Sequence, residues 1–106
     1  METEAIVLAD RTGIIRYWSG GAAIMFGYPV DQAVGQPLDL IVPGEYREAH
    51  WKGFRRAIES GSAAAEGQPG AFPAMNSDGS IVVRTGRLSL VRQSQGNVVA
   101  ALVVFE

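Results

Sequence analysis

The sequence predicts an α+β fold: a five-stranded antiparallel sheet with short helices and one long helix on one face. Three observations predict it. Two strand-like runs come early and three come late, each set punctuated by tight-turn residues. A single long stretch between them, Glu45 to Ser60, has a 3.6-residue apolar period. Nothing in that order calls for the crossover that parallel strands need. At 106 residues, 47% hydrophobic and 19% charged, residues 1–106 make one domain with one compact core.

Glu4 to Ala9 is an apolar run that ends at the turn Asp10-Arg11-Thr12-Gly13. Ile14 to Trp18, β-branched and aromatic, is its hairpin partner. Ser19 can cap the helix Gly20 to Phe26, and Gly27 stops it. Two glycines at its start limit it to one or two turns. Pro29 opens another short helical stretch that ends before Gly35, and Asp39 to Val42 is a third single turn stopped by Pro43.

The long helix Glu45 to Ser60 is closed by Gly61. Tyr46, Ala49, His50, Gly53, Phe54, Ala57 and Ile58 fall on one face, and Glu48, Lys52, Arg55, Arg56 and Glu59 on the other. Its apolar stripe therefore faces a core, with His50 inside the stripe. Gly61 to Gly70 is small, polar and aperiodic, and is expected to be the most flexible linker. Ala71 to Met75 reads as a strand that Pro73 confines to an edge or a bulge. Asn76-Ser77-Asp78-Gly79 is a hairpin turn, Ser80 to Val91 a long strand, and Gln93 to Asn97 a second turn. Val98 to Phe105 is apolar at every position, so it is expected to be covered on both faces.

Composition removes several functions. A net charge of −2 offers no basic surface for a phosphate backbone, so no nucleic-acid partner is expected. The longest apolar run is far shorter than the ~20 residues of a membrane span, and the acidic start Met1-Glu2-Thr3-Glu4 is no leader. The expected location is cytoplasmic, with no membrane contact. Zero cysteines exclude disulfides, thiolate metal sites and cysteinyl chromophores. No phosphate-binding loop, nucleophile triad or zinc cluster is recognisable, so no catalysis is expected.

The order of elements and its punctuation resemble a PAS domain over nearly the whole chain. Asp10 to Trp18 resembles the first hairpin of that family, and Ala22-Ala23-Ile24-Met25-Phe26-Gly27-Tyr28 its "A–A–x–x–F–G–Y" segment. Val34-Gly35-Gln36 followed by Leu40-Ile41-Val42-Pro43 is similar to the stretch before its long helix, and Ser77-Asp78-Gly79-Ser80 to its "D–G" turn. The resemblance implies strand order 2-1-5-4-3 and a central pocket under the long helix. It also implies flanking helices that this chain lacks, so the chain is expected to be a module excised from a longer signalling protein.

His50 is the one imidazole in the chain. Similarity to haem-binding oxygen-sensor PAS domains around Pro43 to His50 implies that His50 could be the proximal metal ligand of haem b. Tyr46, Gly53 and Phe54 would then flank the cofactor, Gly53 leaving room for a flat macrocycle. The distal basic residue of that subfamily is missing, because Gly70 stands at the matching position. Phe72 and Met75 would line an apolar distal side suited to carbon monoxide or nitric oxide, with Met75 a candidate sixth ligand. Flavin is the weaker cofactor reading, with Trp18, Trp51 and Phe72 as flanking rings. The leading expectation is a sensory and interaction module, a haem-based gas or redox sensor. The alternative is a cofactor-free domain that binds a small metabolite or acts in dimerisation. The expected partners are a small ligand in the pocket, a second copy at the outer sheet face, and the output domain of the full protein.

Overall fold

The computed structural model describes residues 4–106. Met1, Glu2 and Thr3, which carry most of the leader argument, lie outside the described residues. Strands β1 (Ala5–Asp10) and β2 (Ile15–Trp18) are followed by helices α1 (Gly20–Phe26) and α2 (Val30–Ala33). Two 3-10 turns, Leu38–Leu40 and Gly44–Tyr46, lead into α3 (Arg47–Ser60). Strands β3 (Pro69–Met75), β4 (Ile81–Arg92) and β5 (Val98–Phe105) complete one antiparallel sheet in the order β2-β1-β5-β4-β3. Fold class and strand order are as the sequence and the resemblance predict.

Local chemistry accounts for the elements. Asp10 closes the first turn, its carboxylate accepting from the Thr12 and Ile14 amides and from Arg16. Ser19 accepts from the Ala22 amide at the start of α1 and from the Ile6 amide of β1, so one hydroxyl caps the helix and moors it to the sheet. Gly27 ends α1 at a φ of 85°, the left-handed conformation that favours glycine there. β5 lies at the centre of the sheet, hydrogen-bonded to β1 on one side and β4 on the other. Pro73 lies on β3, an edge strand, where its missing N–H costs no ladder bond.

Two expectations need correction. The long helix does not start at Glu45: residues Gly44–Tyr46 form a tighter 3-10 turn first, and no side chain caps α3. The segment from Gly61 to Gly70 is pinned rather than loose. The Glu66 carboxylate accepts from the Leu90 amide and pairs with Arg92 at 2.6 Å, and the Gly67 amide donates to the Leu88 carbonyl. One acidic side chain thus ties a small, polar stretch to β4. No helix among the described residues is long and apolar enough to cross a membrane.

The helices pack on one face of the sheet. Ala5, Val7, Ile15, Trp18, Ala22 and Phe26 form a closed cluster between α1 and strands β1 and β2. Under α3 the packing is more open, with Leu90, Val98 and Ala101 buried beneath half-buried Phe54, Ala57 and Ile58. The opposite face of the sheet has no cover among the described residues: Ile6, Leu8, Leu102 and Val104 are half-buried there and Tyr17 is exposed. The expected two-sided cover of β5 is therefore met by the helices on one side only.

Candidate functional site

A cavity of about 220 Å³ lies between α3 and the sheet. The strands build its floor by simple alternation: Val7 and Ala9 of β1, Ala101, Val103 and Phe105 of β5, and Leu88 of β4 all point to it. Leu38, Ile41 and Val42 close one side from the turn region, and Phe72, Pro73 and Ala74 close the other from β3. The roof is α3, through His50 and Phe54. His50 is the only side chain with a polar group in this lining.

The roof is held by its first turns. The Arg47 guanidinium donates to the carbonyls of Val42 (3.0 Å) and Asp39 (3.1 Å), and the Trp51 indole N–H donates to the Asp39 carboxylate at 2.7 Å. The far edge of the Trp51 ring packs directly on Gly13, where any side chain would collide with it. Arg47 and Trp51 therefore clamp the start of α3 to the turn region and to the β1–β2 hairpin. Trp51 sits at the rim, outside the lining of the cavity.

His50 packs between neighbours on its own helix, its ring centroid 4.8 Å from Trp51 and 6.0 Å from Phe54. Its Nδ1 is buried and has no hydrogen-bond partner among the described residues. Burial pushes its pKa below the ordinary 6.5, and the nearby Asp39 charge opposes that only in part. The ring is therefore neutral at pH 7. No group among the described residues fixes which nitrogen carries the proton.

The structure brings together three of the expected site residues, His50, Phe54 and Phe72, and leaves three out. Tyr46 is 43% exposed at the entry to α3, Gly53 faces open space, and Met75 lies one position past Ala74 on β3 and does not reach the cavity. The flavin-flanking trio is scattered: Trp18 is buried in the closed cluster, its N–H donating to the Tyr28 carbonyl, and Trp51 is at the rim. Sequence reasoning assigns no role to the strand residues of the floor, although the period-two alternation of Val7/Ala9 and Ala101/Val103/Phe105 signals their common face.

The haem b expectation, with His50 as its metal ligand, is overturned. Among the described residues no group of three or more His, Cys, Asp and Glu side chains could hold a metal ion. The cavity also does not suit the group. It lies below the ~300 Å³ lower end of ordinary ligand pockets, and no basic or hydroxyl side chain lines it to meet two propionates. Met75, the candidate sixth ligand, is outside it.

The family model described as the PAS fold matches residues 2–106. The oxygen sensor protein DosP of Escherichia coli is 27% identical over 85 residues, which is 80% of this chain and 11% of that protein. The chain thus spans about a tenth of the length of the curated relatives it matches. Among solved structures, a PAS domain from Colwellia psychrerythraea superposes with a TM-score of 0.82 at 24% identity, covering 99% of this chain and 86% of that one. The PAS domain of the Cronobacter turicensis RpfR quorum-sensing receptor, in complex with BDSF, superposes at 0.78 with 15% identity, covering 99% and 93%.

Proposed function

The chain belongs to the PAS fold family, and from that premise we propose that it is a sensory module that binds a small, mainly apolar ligand under α3 without a resident cofactor. The observation that carries this reading is the cavity itself: apolar except for a single imidazole in its roof. Burial of apolar ligand surface supplies the affinity, and few polar groups are needed to orient it. Two relatives lend support at the level of the fold. DosP is an oxygen sensor, and the RpfR domain belongs to a quorum-sensing receptor and holds BDSF.

The signal would travel by differential affinity. A ligand shifts the domain only as far as it binds one arrangement of α3 and β5 better than another. Phe105 is well placed for this role. Its ring meets Phe72 at 5.7 Å on the cavity side and Phe26 at 5.2 Å on the closed side. In a longer protein the reader of that change would be an output domain.

Methyl-resolved NMR with toluene as probe tests this reading. Shifts at Val7, Leu88 and Val103 without shifts at Val83 on the outer face are expected. Absence of any shift at saturating toluene would overturn it.

The outer face favours a second contact. Half-buried Ile6, Leu8, Leu102 and Val104 form a continuous apolar patch, since Leu8 pairs with Leu102 and Ile6 with Val104 across β1 and β5. We read this patch as the face that meets a second copy. Sedimentation of Leu102→Glu should show a shift towards monomer, and an unchanged distribution would remove the reading.

A further inference from the structure

The lining of the cavity also specifies what class of molecule enters it. An apolar cavity of ~150 Å³ stays dry and takes up benzene. This one is about 220 Å³, room for the same ring with a substituent. Phe54, Phe72 and Phe105 line it, and aromatic rings pair edge to face or offset with one another, as Phe72 and Phe105 already do at an interplanar angle of 78°. One polar side chain allows one polar group on the ligand, because a second would be buried without a partner.

Resting on the ligand-binding reading above, we propose that the ligand is a neutral monocyclic aromatic bearing one hydroxyl, a phenol-type molecule, whose ring lies among Phe54, Phe72 and Phe105 and whose hydroxyl is taken by the His50 imidazole. A hydroxyl donates and accepts, so it satisfies either tautomer of a ring whose proton no group among the described residues fixes. A carboxylate only accepts and would call for a protonated imidazole, which burial opposes. No Lys or Arg lines the cavity to replace that charge. Acids of the same size are therefore selected against, and hydrocarbons of the same size lose the one polar contact on offer.

His50 is the sole histidine, so selectively ¹⁵N-labelled imidazole yields one pair of ring resonances. The full chain is titrated with phenol, toluene and benzoate while the Leu88 and Val103 methyls are followed. The expected result is that phenol shifts both the methyls and the ring nitrogens, binds about tenfold more tightly than toluene, and outcompetes benzoate. His50→Phe should bring phenol down to the affinity of toluene, and His50→Gln, which keeps a hydrogen-bonding group, should restore part of the difference. Equal binding of toluene and phenol with unmoved ring nitrogens overturns the hydroxyl contact while the cavity reading stands. Preference for benzoate overturns the neutral class. Methyls that respond to none of the three overturn both.

Discussion

Two helices lie on the same face of one sheet and create opposite interiors. Under α1 the packing is closed. Phe26, Ala22 and Ile15 have no exposed surface, and Gly21 lies so near the Glu4 carbonyl that a Cβ there would collide with it. Under α3 no residue of the helix is fully buried, and a cavity remains between it and the strands. The sequence explains the contrast. The short α1 presents Gly21 and Ala22, which let its backbone sit close to β1, with Phe26 as the wedge. The longer α3 presents His50 and Phe54 above a floor of Ala9 and Ala101, so large groups stand off from small ones. Stability concentrates in one half, and room for a ligand in the other.

The largest separation between the halves should come from truncating one phenylalanine in each. Phe26→Ala removes a fully buried ring and should cost about 3–5 kcal/mol in urea unfolding. Phe54→Ala, half-buried at a cavity that already exists, should cost about 1–2 kcal/mol. Equal losses would erase the distinction.

Glycine replacement gives the next effect. Gly21→Ala drives a methyl into the Glu4 carbonyl and should cost about 1–3 kcal/mol. Gly53→Ala meets nothing within 4 Å and should stabilise α3 by about 0.5–1 kcal/mol through helix propensity. Thermal melts of the two variants should move in opposite directions.

A smaller gain is expected from filling the space. Ala101→Leu projects into the cavity and should raise stability by about 1 kcal/mol while abolishing toluene binding. Stability gained with binding intact would put the ligand elsewhere.

The smallest effect is a pH slope. The folded-state pKa of His50 lies below its ordinary 6.5, so the unfolded chain takes up the proton first as pH falls. The contribution of the neutral ring is complete above pH 6.5 and is lost progressively as pH drops towards and through the folded value. His50→Phe should flatten the stability curve in that window, measured by urea midpoints at stepped pH. A mutant curve parallel to wild type there would place the titration on another group.

Much of the fold is legible in the residues, because its punctuation is local chemistry. Asp10, Gly27 and Gly79, and Ser19 in its capping of α1, each act within a few positions of themselves, and each marks an element's end. The register of β5 against β1, and the mooring of Gly61–Gly70 by Glu66, depend on partners about 25 or more positions away, which no local pattern reveals. The site was legible in half. The stripe on α3 identifies His50 and Phe54, since helical period alone selects the inward face. The stripe also includes Tyr46 and Gly53, which the structure leaves outside the cavity, because Tyr46 belongs to the 3-10 turn and a side chain at Gly53 would meet nothing within 4 Å. Position on a helix says which way a residue points, and the size of the space it meets is set by Ala9, Ala101 and Val103 on distant strands. That size, together with a lining that lacks cations, separates this cavity from a haem pocket.

Diffraction from crystals held under xenon tests the central contrast most directly, since xenon enters dry apolar cavities of this kind. Xenon density among Phe54, Phe72 and Val103, with none between α1 and the sheet, is the predicted result. Density in the α1 cluster, or none under α3, would contradict the account.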